Sequence, residues 1–265
     1  GLVAGGVLAS LGTKDDAVHA AADVRRFYSV PDLAAEEKPL IKPFLSIALG
    51  SGYRGHPLDN NVHDRFYEIR DYNGFTPMTQ TAFNSLALTR DALSSAGAAV
   101  KLIDITATPN PMLAPDILGW QLDLNTHPDW TAGEKSLTPS RTFSDQVIFT
   151  TYTPNTLPST DPCTGIGTGT NRVYAINVFS GSPTLDRNND GTLTADERSQ
   201  DLRQGGIAPE TAFLFPAPDP GGGGGGNGNG SGSGQVACLS GVEVLSVCTN
   251  FNQRRKTYWR EGMAN

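Results

Sequence analysis

Four short segments rich in aromatic and β-branched residues follow one another in the middle of the chain. None carries apolar residues at the spacing of a helix face, and turn-forming residues separate them, since the 265 residues include 30 Gly and 18 Pro. Such segments predict short strands. Four successive antiparallel strands are the unit of a β-propeller blade. The predicted strands are 119–124, 135–143, 146–153 and 171–179.

Further strand signals lie on both sides of this section. They are 23–30, 43–53 and 65–72 before it and 210–215, 242–247 and 256–260 after it, while 79–95 reads as a helix or an irregular insertion. The total corresponds to about three blades, and closed propellers have four or more. We therefore predict an all-β, partial β-propeller of four-stranded antiparallel blades with a few short helices. Its first and last strands would need partners from outside this chain.

The run of Gly, Asn and Ser at 221–234 has no side chain able to pack. Such a composition predicts a flexible segment. Strand signals on both sides favour a surface loop inside the last blade. A domain boundary is the alternative, but the residues that follow are too few for a domain of their own.

The stretch from Asp186 to Glu197 carries oxygen-bearing side chains at alternate positions around Gly191. Calcium takes six to eight oxygen ligands, and a twelve-residue loop supplies them from positions 1, 3, 5, 7, 9 and 12, with Gly at position 6. An acidic surface turn that binds nothing has no reason to keep this spacing. The sequence therefore predicts a Ca²⁺ loop. Its ligands would be Asp186, Asn188, Asp190, Thr192 through the backbone carbonyl, Thr194 directly or through water, and Glu197.

The residues before this loop, 177–184, contain Gly and Pro and predict a strand end and a turn. The entering helix of an EF-hand is therefore missing, while 195–204 could form a short exit helix capped by Thr194. A single half-EF-hand loop favours a structural role for calcium over the role of a paired sensor that opens a binding groove.

Three cysteines, Cys163, Cys238 and Cys248, allow one internal disulfide with three possible pairings. The preferred pair is Cys238 with Cys248, because the two bracket the predicted hairpin strand 242–247. Cys163 lies in a loop and could equally be the partner of either. A calcium loop together with cysteines favours an oxidising compartment.

The formal net charge of −7 argues against nucleic acid as a partner, which needs a basic face. No apolar run is long enough to span a membrane. The first residues lack Met and a basic signal-peptide region, so we expect the chain to be part of a longer protein.

Several sequence motifs, taken together, point to one protein family. They are Arg25-Arg-Phe-Tyr with Pro31-Asp32, the stretch from Phe44 to Asp71 with its Gly-Ser-Gly-Tyr-Arg-Gly-His-Pro-Leu-Asp, Gly119-Trp-Gln-Leu-Asp-Leu with Gly133-Glu-Lys, Phe149-Thr-Thr-Tyr-Thr-Pro, Arg172-Val-Tyr-Ala-Ile-Asn and Thr257-Tyr-Trp-Arg. Taken together, the chain resembles the C-terminal β-propeller domain of the PilC/PilY family of type IV pilus tip proteins. On this resemblance residues 1–265 form the C-terminal part of such a domain.

The resemblance implies a secreted adhesion and biogenesis factor, periplasmic in transit and then extracellular at the pilus tip or outer cell surface. It would bind calcium and act with minor pilins of the tip complex, with the rest of its own chain and with host or abiotic surfaces, in pilus assembly and twitching motility. It would not be an enzyme. One feature departs from the family: its regulatory loop has Asp at the ninth position, where Thr194 stands here.

The alternative function is a secreted calcium-dependent propeller enzyme of the quinoprotein dehydrogenase or glycosidase class. Tyr174-Ala-Ile-Asn with Gly181 faintly resembles a quinoprotein blade repeat. The four histidines offer one local cluster, His56 and His63 beside Asp59 and Asp64, which turn capping explains better than a zinc site. The pilus interpretation is preferred because no catalytic constellation appears in the sequence.

Overall fold

The computed structural model describes residues 5–11, 24–74, 76–86, 89–90, 102–111, 113, 117–124, 133–154, 169–215 and 237–246. This part of the chain contains fourteen strands in four sheets, with one short α-helix and one short 3-10 helix. The strands are β1 Ala9–Ser10, β2 Asp32–Lys38, β3 Ile41–Gly50, β4 Arg65–Asp71, β5 Thr89–Arg90, β6 Ile103–Asp104, β7 Gly119–Asp123, β8 Arg141–Phe143, β9 Gln146–Thr153, β10 Thr170–Asn177, β11 Ser199–Leu202, β12 Thr211–Leu214, β13 Ala237–Ser240 and β14 Glu243–Val244. The α-helix α1 is Gln80–Asn84, and the 3-10 helix is Ala195–Arg198.

The first large sheet has the strand order β2-β3-β4-β7-β6. All of its pairs are antiparallel except β6 with β7. Strand β4 lies at its centre, and six of its seven residues are buried. A strand covered on both faces has no solvent side, so its charged residues must find partners inside the protein. A separate small pair, β1 with β5, is parallel.

The second sheet is an antiparallel meander in the order β11-β10-β9-β8. Strands β9 and β10 pair along their whole length, from Gln146 opposite Asn177 to Thr153 opposite Thr170. The hairpin between β8 and β9 has a two-residue loop, Ser144 and Asp145, with φ angles of 51° and 65°. Two successive positive φ angles are those of a type I′ turn, whose twist matches that of the strands.

The third sheet is antiparallel, with the strand order β12-β13-β14. Cys238 on β13 is fully buried and disulfide-bonded. Cys163 and Cys248 both lie outside the described residues, so the Cys238–Cys248 pairing stays a prediction.

The largest core cluster lies between the first and second sheets. The ring of Phe149 on β9 stacks on Phe66 of β4 with centroids 3.7 Å apart, and on Tyr174 of β10 with centroids 4.8 Å apart. Trp120 on β7 is fully buried, and its Nε1 donates to the carbonyl of Val178 at 3.1 Å. Aromatic rings of both sheets thus form one continuous apolar core.

Two buried arginines join the sheets through backbone carbonyls. Arg70 on β4 donates to the carbonyls of Val178 and Phe179 at 2.9 and 2.8 Å. Arg198, only 2% exposed, donates from Nε to the carbonyl of Gly181 at 2.8 Å and from its terminal nitrogens to residues 106–109. We call these contacts the arginine junction. They hold the connection from β10 to β11 against the first sheet.

The fold-class prediction is confirmed: the described chain is all-β, and its separate antiparallel-rich sheets form a partial β-propeller. Strands occupy most of the predicted segments 43–53, 65–72, 119–124, 146–153, 171–179 and 210–215. Short helices are also present. The predicted loop 221–234 and strand 256–260 lie outside the described residues. Of the predicted strand 242–247, the described part runs to residue 246, and only Glu243–Val244 is strand.

The predicted strand 23–30 is wrong in its described part, because residues 24–31 form no regular element. Their side chains cover the first sheet instead: Phe27 packs against Tyr67, and the buried Arg25 donates to the carbonyls of His63 and Leu11. The strand lies one segment later, at β2, where no strand was predicted. Its polar residues are explained by its place at the edge of the sheet.

The predicted grouping of four strands into one blade is also wrong. Strand β7 pairs with β4 and so belongs to the first sheet, and the fourth strand of the second sheet is β11. The predicted strand 135–143 is reduced to β8 and an isolated bridge from Lys135 to Tyr152. Strand assignment followed residue type correctly, whereas sheet membership is set by long-range pairing that residue type does not encode.

Candidate metal centre

The predicted calcium loop is the connection between β10 and β11, inside the second sheet. It begins after a turn that closes β10, so no helix enters it. It ends in the 3-10 helix Ala195–Arg198, with Thr194 at the N-cap. The exit element predicted over 195–204 is therefore one helical turn that passes directly into a strand.

Side chains at alternate positions fold the loop by accepting hydrogen bonds from its own backbone. Asp186 Oδ2 accepts from the Gly191 N–H at 2.8 Å. Asn188 Oδ1 accepts from the Asp190 N–H at 3.0 Å, and Asp190 Oδ1 accepts from the Thr192 N–H at 2.7 Å. These local bonds bring the predicted ligands at positions 1, 3 and 5 onto one compact turn.

The backbone of the loop depends on two residues with positive φ. Gly191 has φ +81°, and no atom lies within 4 Å of where a Cβ would stand. The requirement for Gly is therefore conformational rather than steric crowding. Asn189, with φ 56°, is one of the few residue types that tolerate this region.

One oxygen of Asp186 fits a bound cation. Oδ1 is buried and has no hydrogen-bond partner in the described part of the chain. A buried carboxylate oxygen without a donor is costly unless a cation or water satisfies it. The loop also offers the amide oxygen of Asn188, the carboxylate of Asp190 and the Thr192 carbonyl, all hard oxygen ligands that suit Ca²⁺.

The Glu197 carboxylate lies differently from the predicted ligand. Its Oε1 accepts from the N–H groups of Arg187 and Asn188 at 2.8 and 3.4 Å, and its Oε2 accepts from the Thr194 N–H at 2.9 Å. Burial alone would raise the pKa of Glu197, but these backbone donors outweigh it and hold the pKa below its ordinary value. Glu197 thus closes the loop by capping its backbone.

No three His, Cys, Asp or Glu side chains converge on one point among the described residues. The structure brings Asp186, Asn188 and Asp190 together and places Thr192 and Thr194 along the same loop. A complete calcium shell would need the Glu197 carboxylate to exchange backbone donors for the ion.

An open cleft of about 800 Å³ lies beside the loop. Gln200 of β11 and Ser246 after β14 line its far side, and the Ser246 hydroxyl donates to the Gln200 side chain. The loop is therefore reachable from solvent, as an exchangeable ion requires.

Arg198 is a buried residue beside the candidate site whose contacts the sequence did not reveal. It follows the last predicted ligand directly, and its guanidinium bonds to the carbonyls of Gly181, Thr106, Thr108 and Pro109. Burial lowers the pKa of Arg198 to about 10. An arginine in a short polar stretch ordinarily indicates an exposed side chain, so no local signal separates it from Arg187 or Arg203.

Three buried carboxyl groups elsewhere have raised pKa values. Burial raises the pKa of Asp64 to about 6 and those of Glu68 and Glu134 to about 7. Such shifts often mark catalytic groups, but here each carboxyl is enclosed by neighbouring strand residues. Ser51 donates to Asp64 at 2.6 Å, and Arg70 lies 3.2 Å from Glu68. These contacts indicate that the carboxyl groups have a structural role.

The histidine cluster is likewise spread over separate contacts. His56 lies beside the Tyr53 ring, with centroids 6.1 Å apart, and the His63 carbonyl accepts from Arg25 at 2.8 Å. Asp59 is engaged by Asn61, and Asp64 by Ser51.

The sheets and their junction define a partial β-propeller. A known structure with this architecture is the crystal structure of the Pseudomonas aeruginosa PilY1 C-terminal domain, with a TM-score of 0.51 and 14% sequence identity. The similarity covers 89% of this chain and 46% of that chain, so this chain spans less than half of the domain it matches. At this identity the similarity shows the fold alone.

No model of a known protein family matches the chain, and no curated protein sequence matches it. In the described residues, the helices are too short and too polar to cross a membrane.

We predict that the buried Glu134 makes stability depend on pH. Its Oε1 accepts from Thr151 at 2.5 Å and from the Tyr174 hydroxyl at 2.9 Å, and its pKa is about 7 in the folded chain against an ordinary 4.5. Between these pH values the folded state keeps a proton that the unfolded chain releases. Its stabilisation is therefore full below pH 4.5 and is lost as the pH rises through 7.

Glu134→Gln should remove this loss, because the amide keeps an acceptor but does not ionise. Denaturant unfolding should show the variant gaining stability relative to the wild type from pH 5 to pH 8, by on the order of 2 kcal/mol. Glu210→Gln, an exposed change, should show no such gain. Parallel curves for Glu134→Gln and the wild type would contradict the assignment.

Proposed function

We propose that this chain is the calcium-binding part of a β-propeller that acts in type IV pilus assembly and adhesion. The observation that carries the proposal is the fold similarity to the PilY1 C-terminal domain over 89% of the chain. Motifs spread from Arg25 to Arg260 resemble the same family. Two independent kinds of likeness therefore support one class of protein.

The proposed protein is a non-enzymatic tip factor that works at the pilus tip or outer cell surface. Its partners are minor pilins and the rest of its own chain, and host or abiotic surfaces are the targets of adhesion. The disulfide at Cys238 supports an oxidising compartment, because such bonds persist mainly outside the cytosol.

Calcium is the proposed resident ion of the loop from Asp186 to Glu197. When bound, Ca²⁺ would give the buried Asp186 Oδ1 the positively charged partner that it lacks, and it would link the two ends of the loop. The chain's own residues prepare the loop, since three side-chain-to-backbone bonds already hold Asp186, Asn188 and Asp190 in place.

The loop has a mechanical connection to the first sheet. Glu197 caps the start of the loop, and the next residue, Arg198, holds the carbonyls of residues 106–109. A rearrangement of Glu197 toward an ion would act directly on the residue beside it. We propose that calcium stiffens the connection between the sheets. This role is structural, and it would also let the calcium concentration regulate how firmly the two sheets are joined.

Calcium binding is tested by titration calorimetry on the whole chain. The wild type should bind Ca²⁺ in the range of about 10⁻⁴–10⁻³ M that is typical of extracellular modules. Asp186→Ala combined with Asp190→Ala should weaken binding by about 100-fold or more, since it removes two carboxylates from the loop. The matched control removes two exposed carboxylates elsewhere, Glu37 and Glu210, by the same change to Ala. Equal calcium affinity in all three proteins would contradict the proposed calcium site.

The pilus function is tested in the source bacterium. Deletion of the segment that encodes this chain should reduce the number of surface pili, twitching motility and attachment, and the Asp186→Ala, Asp190→Ala strain shows how much of each depends on the loop. The control strain carries Glu37→Ala and Glu210→Ala. Normal piliation, motility and attachment after the deletion would refute the proposal and favour the enzyme alternative.

A further inference from the structure

The segment 24–30 and the turn 51–56 present an ordered cluster of polar rings and cations on the surface. The two stretches run side by side, and the Gly52 N–H donates to the Arg26 carbonyl at 2.8 Å. Four side chains form the cluster, which we call the Arg–Tyr surface: Arg26, Tyr28, Tyr53 and His56.

These side chains are stacked on one another. The Arg26 guanidinium carbon lies 3.9 Å from the centre of the Tyr53 ring. The rings of Tyr28 and Tyr53 are nearly parallel, with centroids 5.7 Å apart, and the His56 ring lies 6.1 Å from Tyr53. Stacking restricts the rotamers of all four side chains, so little further ordering is needed when a ligand binds.

Stacking does not bury the cluster. Tyr28 remains 54% exposed, and Arg26 and His56 are also exposed. Val24 and Val30 on the same segment are 37% and 68% exposed. The fold therefore keeps aromatic and aliphatic surface in water next to a guanidinium.

The two neighbouring arginines of this segment have different surroundings. Arg25 is buried and donates to the carbonyls of His63 and Leu11. The Arg26 side chain makes no ion pair with any carboxylate of the described chain. The nearby Asp59 is already held by both the N–H and the side-chain amide of Asn61.

The chemistry of this surface is that of a protein-binding hot spot. Tyr and Arg are over-represented among residues that dominate binding energy, because rigid rings supply contact area at low entropic cost. A guanidinium lying on a ring can still present its edge to a carboxylate with two parallel hydrogen bonds. The exposed Arg54 adds a second cation, since only its Nη1 is engaged, by the Leu137 carbonyl at 2.7 Å.

Charge selects the partner. The chain as a whole has a formal charge of −7, so the exposed arginines Arg26 and Arg54 stand out as cations on an acidic protein. An acidic ligand is attracted here and repelled elsewhere, which fixes its location. A purely apolar ligand would leave the guanidinium unpaired.

We propose that the Arg–Tyr surface docks a carboxylate-bearing segment of a partner protein. The guanidinium of Arg26 receives an acidic side chain, and the exposed ring of Tyr28 packs against an apolar neighbour in the same segment. The inference rests on this surface alone and holds whether or not the chain acts in pili.

The test measures binding of fluorescent peptides to the whole chain by anisotropy. The probe is a short peptide of alternating Glu and Leu, and its comparison peptides carry Gln or Lys in place of Glu. An acidic oligosaccharide, polygalacturonate, tests the alternative class of ligand. We expect the Glu–Leu peptide to bind, with weakening as salt rises, and the Gln–Leu peptide and the oligosaccharide to bind at least about tenfold more weakly.

Arg26→Ala and Tyr28→Ala should each weaken the Glu–Leu peptide by about tenfold. Arg141→Ala, which removes an exposed arginine elsewhere, should not. Arg26→Glu should reverse the preference toward the Lys–Leu peptide, and unchanged melting temperatures would show that all variants fold. The proposal is overturned if the wild type binds no peptide, if the oligosaccharide binds more tightly, or if Arg26→Ala and Arg141→Ala behave alike.

Discussion

The arginine junction is the interaction on which the rest of this structure depends. The carbonyls of Val178, Phe179 and Gly181 follow β10 and point away from any strand partner, so they need donors from elsewhere. Arg70 of the first sheet donates to the carbonyls of Val178 and Phe179. Arg198, at the other end of the same connection, donates to the carbonyl of Gly181. Hydrogen bonds from charged donors are each worth about 1.5–3 kcal/mol, so removing either guanidinium would release several contacts at once.

The junction and the candidate calcium loop occupy one connection. The chain leaves β10, meets the first sheet at Val178 to Gly181, turns through the loop and returns to the first sheet through Arg198. Glu197 and Arg198 are adjacent but reach in different directions, one to the loop backbone and one to the first sheet. A single peptide bond therefore separates the residue that caps the loop from the residue that joins the sheets.

Local signals in the sequence predicted much of the fold. Segments such as Gln146–Thr153 carry β-branched and aromatic residues throughout, so their conformation follows from residue type. Sheet membership did not follow, because Gly119–Asp123 pairs with β4 across about fifty residues of intervening chain, and no local pattern records such a distance. The wrong strand prediction at 23–30 has a similar cause. Phe27 and Arg25 cover the first sheet by contacts with Tyr67 and the His63 carbonyl, and the segment itself forms no strand.

The candidate site was predictable to the same extent. The alternating oxygens from Asp186 to Asp190 and the position of Gly191 were predicted from the spacing of a calcium loop. The structure shows that these side chains accept hydrogen bonds from the loop backbone, while calcium binding stays a prediction. The orientation of Glu197 depends on which backbone donors are free nearby, and the partners of Arg198 depend on a segment ninety positions away. Those features are set by packing and could not be inferred from spacing.

The central proposal is that calcium bound in the candidate loop controls the contact between two sheets. Hydrogen–deuterium exchange of the whole chain with and without Ca²⁺, with Mg²⁺ as the control ion, tests it most directly. The account predicts that calcium slows exchange in the loop 186–197 and also in residues 105–109, which Arg198 holds, while β3 stays unchanged. Protection confined to the loop, with no change at 105–109, would contradict the claim.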